Sequence, residues 1–174
     1  MFKFTLIFLF FNCFFLLENI HAAGDSLKVY FFLSETCPIC KAITRDINEI
    51  TQKTKGQNIS FVGIFPNLKI SNEKTRRNFV KKYNIDFPVM PDSGNLLTRK
   101  FQATITPEVI LMHSPSGNIL YRGAINNAFL SIGKRRTIIT DHYLKTAIDQ
   151  YFNLQEIIPS KTIPVGCLIE QRNY

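Results

Sequence analysis

Two cysteines separated by two residues, in Cys37-Pro38-Ile39-Cys40, are the side chains of this 174-residue sequence whose type and spacing point most directly to chemistry. At the start of a helix, unpaired N–H groups and the positive end of the helix dipole stabilise a thiolate and lower the pKa of the first cysteine. The sequence therefore predicts Cys37 as the attacking thiolate. Cys40 is predicted to attack the resulting mixed disulfide, which leaves a Cys37–Cys40 disulfide.

The elements around this motif are those that would hold it in place. Residues 28–33 form a continuous apolar and aromatic run, which is typical of a strand buried on both faces. From Ile39 to Ile50, apolar residues recur at helical spacing, and Pro38 stands where a first-turn proline is tolerated. Residues 59–65 predict a second buried strand, so the order strand, helix, strand implies a parallel crossover.

The rest of the chain adds shorter elements. We expect a helix capped by Ser71 or Asn72, an extended piece at 86–90, a short helix at 95–101, strands at 108–113 and 118–122 joined by a turn at 114–117, a loop at 124–140, a helix from Asp141, and a tail from Pro159 without regular structure. A βαβ unit followed by a ββα unit predicts an α/β fold with a central mixed sheet flanked by helices. This is the plan of thioredoxin, in one domain at 23–158 with an insertion at about 67–103 and a tail at 159–174.

The N-terminus has the pattern of an export signal. Residues 1–22 combine a basic start, an apolar core and a small residue at the end, and the apolar run is shorter than the roughly 20 residues that span a bilayer. The expected location is the periplasm; an uncleaved N-terminal anchor and secretion are the alternatives. The formal charge of +8 comes from scattered basic residues, so no nucleic-acid partner is expected.

Removal of the signal would leave three cysteines, and the third is Cys167. An odd number in an oxidising compartment implies one pair and one remaining thiol. Two interpretations of Cys167 stay open: a third thiol near the site that resolves a mixed disulfide or pairs with a partner, or a small apolar residue packed by the tail.

Four segments carry a resemblance to a known family: residues 32–40, Thr106-Pro107-Glu108, Tyr121-Arg122-Gly123 and residues 165–169. Together with the element order they resemble the thioredoxin superfamily, and more narrowly the exported redoxin-type proteins related to TlpA and to the AhpC/TSA group. The resemblance implies a thiol–disulfide oxidoreductase in which Pro107 is cis and faces the cysteine pair. It also implies that the backbone of Thr106 offers a strand edge to an extended substrate, with Thr36 and Pro38 in contact with that substrate.

The sequence departs from this family at the position of a proton-transferring acid. Thioredoxin carries a buried Asp six residues before its first cysteine, and Phe31 stands there instead. Glu35 and Glu108 are the nearest acidic candidates, and each is expected at the surface. Arg122 is a further accessory candidate that either flanks the cysteine pair or is solvated.

Other functions leave recognisable signals. A closed zinc site needs two more ligands, and a c-type haem site needs His where Lys41 stands, so we expect no metal and no cofactor beyond the redox-active disulfide. A thiol peroxidase needs a proline where Tyr30 stands, although Ser34 fits the second position of that motif. A non-catalytic protein that delivers metal or thiols is the remaining alternative. The expected partners are protein thiols or disulfides and a membrane or periplasmic redox protein.

Overall fold

The computed structural model describes residues 26–170 of the protein. The predicted export signal at 1–22 therefore lies outside the described residues. The strands and helices are β1 (Leu27–Phe32), α1 (Pro38–Lys53), β2 (Ile59–Phe65), α2 (Glu73–Lys82), β3 (Val89–Pro91), α3 (Leu96–Phe101), β4 (Ile105–Thr106), β5 (Glu108–His113), β6 (Ile119–Gly123), β7 (Phe129–Ser131), β8 (Lys134–Arg135), α4 (Tyr143–Phe152) and β9 (Cys167–Leu168). Within residues 26–170, no helix is both long enough and apolar enough to cross a membrane.

Five strands form the central sheet, in the order β3-β2-β1-β5-β6. Strand β1 pairs in parallel with β2 and antiparallel with β5, and β6 continues the antiparallel half. The sheet is therefore mixed, and it arises from a βαβ unit followed by a ββα unit, as predicted. The predicted bounds of β2 and of the 108–113 strand agree with the structure, and α1 begins one residue before and ends three residues after the predicted helical run from Ile39 to Ile50.

Strand β1 is the centre of the molecule because both of its faces are buried. Val29 and Phe31 point into the larger core, which also contains the apolar faces of α1 and α4. Tyr30 and Phe32 point into a smaller core on the opposite face, together with Phe101 of α3. Alternate side chains of one strand thus contribute to two cores. This packing fixes the C-terminal end of β1, which leads into the cysteine motif.

Two segments expected to be irregular contain strands. The 124–140 segment forms the β7–β8 hairpin, and the tail contains β9, which pairs antiparallel with β4. The predictions of a loop and of an irregular tail were therefore wrong. A strand of two residues shows no periodicity in sequence, and β9 is stabilised by pairing with residues some 60 positions away, as in the bond from Thr106 to Cys167.

An ion pair holds the segment that leads into β4. Glu108 is 4% exposed, and its carboxylate lies 3.0 Å from the Arg122 guanidinium, which is 24% exposed. The same carboxylate accepts a hydrogen bond from the Thr104 amide, and Arg122 also donates to the Phe101 carbonyl. The expectation that Glu108 lies at the surface was wrong, because its partner on β6 permits burial of the charge.

Removal of the Arg122 guanidinium should destabilise the protein. Arg122→Ala would leave the buried Glu108 carboxylate unpaired, and we expect a loss of about 3 kcal/mol in the free energy of unfolding, at the low end for a broken buried pair because Arg122 is partly exposed. Urea denaturation measures it. The control is Lys145→Ala, which removes an exposed i,i+4 pair with Asp149 and should cost less than about 0.5 kcal/mol. Equal losses in the two variants would contradict this account.

Candidate active site

The Cys37 sulfur lies where the central strand gives way to the first helix. Cys37 is the N-cap residue of α1, and Pro38 is the first helical residue, as predicted. The Cys37 backbone N–H donates to the Ser34 carbonyl at 3.2 Å, which closes the turn between strand and helix. Thr36 and Pro38 on either side are exposed, whereas Cys37 itself is only 1% exposed.

Hydrogen-bond donors converge on the Cys37 sulfur and stabilise its thiolate. The thiol of Cys40 lowers the pKa of Cys37 most, and burial opposes this effect. The thiol of Cys167 and the backbone N–H groups of Cys40 and Ile39 lower it further, so the pKa is about 5. The backbone contribution is the one expected for a helix N-terminus. Cys37 is therefore a thiolate at neutral pH.

The Cys40 thiol has the opposite character. It is fully buried, and burial raises its pKa well above the ordinary value, with the hydrogen bond to Cys37 and the negative charge of Cys37 adding to the rise. The Ser34 N–H lies 3.3 Å from the Cys40 sulfur and partly offsets this effect. Phe31, which stands where thioredoxin has an acid, belongs to the same apolar core. The pair thus consists of one thiolate and one protonated thiol.

Thr106 and Pro107 lie against the cysteine pair. The Thr106–Pro107 peptide bond is cis, as the resemblance implied. The Thr106 carbonyl oxygen lies 3.2 Å from the Cys37 sulfur and accepts a hydrogen bond from it when Cys37 is protonated. The Thr106 side chain also forms a hydrogen bond with Cys40. Pro107 and Ile39 line a cavity of about 260 Å³ beside the pair.

Cys167 completes a cluster of three sulfur atoms. Strand β9 places it opposite Thr106, and its thiol is within hydrogen-bond reach of Cys37. Burial raises the pKa of Cys167 to about 12, and the hydrogen bond to Cys37 and the charge of Cys37 contribute. The structure therefore favours the interpretation of Cys167 as a third thiol at the site. Residues 165–169 contain no alternation that could have indicated the strand, because Leu168 is apolar as well.

The acidic candidates make their contacts elsewhere. Glu35 is half-buried, and one of its carboxylate oxygens accepts a hydrogen bond from the Thr75 hydroxyl at 2.6 Å. Glu108 and Arg122 bind each other and the chain between α3 and β4. These three residues position segments of the fold. Among the described residues, no group of three or more His, Cys, Asp and Glu side chains is arranged to hold a metal ion.

Comparison with known proteins agrees with this arrangement. Residues 17–142 match the AhpC/TSA family, which is most of the chain and includes the cysteine pair and cis-Pro107. The chain belongs to the AhpC/TSA family. The family and the cysteine cluster together support a thiol-based redox function. No curated protein sequence matches the chain.

Solved structures place this AhpC/TSA chain among proteins of the thioredoxin-like fold. A hypothetical protein from Sinorhizobium meliloti 1021 has a TM-score of 0.73 at 22% identity, over 91% of this chain and 85% of that one. An uncharacterised conserved protein from Geobacillus kaustophilus has a TM-score of 0.75 at 17% identity, over 88% and 81%. A secreted disulfide oxidoreductase from Mycobacterium tuberculosis has a TM-score of 0.53 at 17% identity, over 75% and 84%. At these identities the likeness establishes a shared fold.

The low pKa of Cys37 makes a direct prediction for a pH titration. In the reduced protein, thiolate absorbance in the ultraviolet should rise with a midpoint near pH 5, because the folded protein favours the deprotonated form. Cys40→Ala should move this midpoint upward more than Cys167→Ala does, since the Cys40 thiol lowers the pKa most. Cys37→Ser identifies the transition by abolishing it. A lowest midpoint near the ordinary value of about 8.5 would contradict the proposed donors.

Proposed function

We propose that this protein is a thiol–disulfide oxidoreductase that exchanges disulfides with protein thiols through Cys37 and Cys40. The observation that carries the proposal is the pairing of a Cys37 thiolate with a protonated Cys40 thiol beside cis-Pro107. A thiolate is the nucleophile in disulfide exchange, and a neighbouring protonated thiol is available for the second step. Membership of the AhpC/TSA family supports a thiol chemistry of this kind.

The first step is attack by the Cys37 thiolate on one sulfur of a substrate disulfide. The S–S bond of the substrate breaks, its other sulfur leaves as a thiolate that takes a proton from water, and Cys37 is left in a mixed disulfide. A Cys37 with a pKa of about 5 is fully ionised for this attack. It is also a good leaving group when the reaction runs in the opposite direction, because a thiol of low pKa leaves readily.

The second step uses Cys40. In the mixed disulfide, Cys37 has no negative charge and no longer accepts the hydrogen bond of the Cys40 thiol. Both of these had added to the rise that burial causes in the Cys40 pKa. The Cys40 thiol then loses its proton more easily and attacks the Cys37 sulfur. The second substrate sulfur leaves as a thiolate, the substrate has gained two electrons, and Cys37 and Cys40 form a disulfide. A partner dithiol reduces that disulfide in the same way, and with an oxidising partner every step reverses.

The exchange mechanism predicts different outcomes for the two cysteines. With insulin and dithiothreitol, Cys37→Ser should abolish turnover, because the nucleophile is lost. Cys40→Ser should also lose turnover, and when it is mixed with insulin in the absence of dithiothreitol it should accumulate a mixed disulfide at Cys37, since the nucleophile remains and the resolving thiol is absent. Mass spectrometry of the adduct measures this. Insulin reduction that survives in Cys37→Ser would refute the proposal.

A thiol peroxidase is the second candidate, and the AhpC/TSA match is the observation that favours it. In that chemistry the Cys37 thiolate attacks one oxygen of hydrogen peroxide, the O–O bond breaks, and the other oxygen leaves as hydroxide. Cys37 becomes a sulfenic acid, which condenses with the Cys40 thiol to form the Cys37–Cys40 disulfide and releases water. Stopped-flow measurement of Cys37 thiolate consumption by hydrogen peroxide separates the two functions. Rapid consumption, combined with no insulin reduction, would favour the peroxidase.

We also propose that the protein acts after export, with cleavage after Ala22. The proposal rests on the signal-like pattern of residues 1–22. When the full chain is expressed in a bacterial host, the intact mass of the purified protein should correspond to a chain that begins at Ala23, and the protein should be released with the periplasmic fraction. A cytosolic protein with the mass of the intact chain would contradict it.

A further inference from the structure

The strand edge beside the cysteine pair is occupied by the protein's own C-terminal segment. In the antiparallel β4–β9 pair, Cys167 lies opposite Thr106 and Leu168 opposite Ile105. The Ile169 N–H extends this pairing with a hydrogen bond to the Thr104 carbonyl at 2.9 Å. The thiol of Cys167 meanwhile donates to the Cys37 thiolate. The backbone and the sulfur of this segment therefore lie where an extended substrate and its cysteine would lie.

This occupancy explains why the nucleophile is buried. Cys37 is 1% exposed although its neighbours Thr36 and Pro38 are exposed. Its sulfur contacts Cys40 from α1, Thr106 from β4 and Cys167 from β9. Of these three elements, α1 packs on the central sheet and β4 runs through Pro107 into β5 of that sheet, whereas β9 pairs only with β4. A second protein can reach Cys37 only after β9 has moved.

The segment that carries β9 is fixed at Thr162 by hydrogen bonds to β6 and to the residue that follows it. The Thr162 N–H donates to the Arg122 carbonyl at 3.0 Å, and the Thr162 hydroxyl bonds the Tyr121 hydroxyl and the Ala124 N–H. Gly123 allows this close approach, because a Cβ there would overlap Thr162. We call residues 163–170 the arm. Ile163 at its start is exposed, and Thr162 is the last residue before the arm that these hydrogen bonds fix.

The arm is held over the site by its backbone pairing with β4, by two apolar contacts, and by Glu170, whose N–H donates to the Asn67 side chain at 2.9 Å and whose carboxylate pairs with Lys69. Val165 lines the same cavity as Pro107 and Ile39 and packs against the larger core, and Ile169 is buried in the smaller core. Leu168 between them is 77% exposed and contributes no comparable contact. Gly166 lies so close to the backbone of Thr106 that a Cβ would fall far inside van der Waals contact with its carbonyl oxygen. The fit at this edge thus requires a glycine directly before the cysteine.

We propose that the arm is a built-in competitor of the substrate, and that it shows how the substrate binds. A substrate is then an extended segment that displaces the arm and pairs antiparallel with β4. Its reactive cysteine lies opposite Thr106, a glycine precedes that cysteine, and an apolar residue before the glycine takes the place of Val165 in the wall of the cavity that Pro107 and Ile39 also line. This inference rests on the proposed function and names the substrate class for the same site.

The arm lowers the apparent affinity for substrate, because substrate binds only the fraction of molecules in which the arm is displaced. Displacement of the arm should also expose Cys37. Gly166→Val replaces the glycine by a branched residue that cannot fit against Thr106. We expect iodoacetamide to alkylate Cys37 at least about tenfold faster in this variant than in the wild-type protein. Leu168→Ala is the matched control and should react at the wild-type rate, because its side chain is exposed.

A second variant acts on the other attachment and is independent of the glycine. Ile169→Ala removes an apolar anchor from the smaller core and should also accelerate alkylation of Cys37. Circular dichroism reports whether each variant is folded. If the folded variants and the wild-type protein react at the same rate, the arm does not cover Cys37 and the inference is overturned.

Peptide binding tests the predicted register. A synthetic peptide with the sequence of residues 163–170, carrying Ser in place of Cys167, should bind the Gly166→Val protein in a fluorescence anisotropy titration. It should bind the wild-type protein at least about tenfold more weakly, because the arm occupies the edge. The same peptide with Ala in place of Gly166 should not bind. Equal binding of both peptides, or binding of neither, would overturn the proposed substrate class.

These measurements are separable from the proposed enzymatic function, since neither alkylation nor peptide binding requires disulfide turnover. Fast alkylation of Gly166→Val, combined with no insulin reduction by the wild-type protein, would support the inference about the arm and refute the proposed oxidoreductase. Insulin reduction by the wild-type protein, combined with equal alkylation rates in both proteins, would support the oxidoreductase and refute the inference about the arm.

Discussion

The stabilisation of a buried thiolate at Cys37 is the interaction on which the arrangement of this site depends. An ionised sulfur that is almost fully removed from water needs compensating donors, and the protein supplies them from two thiols and two backbone N–H groups. Each donor requires a different part of the fold. The N–H groups require α1 to begin at Cys37, the Cys40 thiol requires the first turn of that helix, and the Cys167 thiol requires β9.

The same charge explains why the three sulfur atoms differ. Burial raises the pKa of both Cys40 and Cys167, and the hydrogen bond to Cys37 and the charge of its thiolate raise it further. Cys37 carries the one negative charge of the cluster because both other thiols and two backbone N–H groups donate to it, whereas burial of Cys40 outweighs its single backbone donor, the Ser34 N–H. When Cys37 becomes part of a disulfide this constraint is released. The apolar surroundings, with Phe31 in place of an acid, leave the change of charge at Cys37 as the main control over Cys40.

The sequence was most informative where chemistry and local structure coincide. The β1–turn–α1 unit could be predicted because an apolar run, a Cys-x-x-Cys motif with proline, and helical periodicity follow one another within about 25 residues. Pro107 could be placed by resemblance to a family. The position of Cys167 could not be predicted, because β4 and β9 are two residues long and their pairing depends on Gly166 packing against Thr106. Burial of Glu108 was missed for a similar reason, since it depends on Arg122 from the neighbouring strand.

The central claim is that Cys37 exchanges disulfides with Cys40 as its resolving thiol. Disulfide mapping by mass spectrometry, after titration of the reduced protein with oxidised glutathione, tests this claim most directly. The account predicts that the Cys37–Cys40 disulfide forms as the main product while Cys167 remains a free thiol that iodoacetamide labels after unfolding. An oxidised protein in which Cys40 is still a free thiol would contradict it.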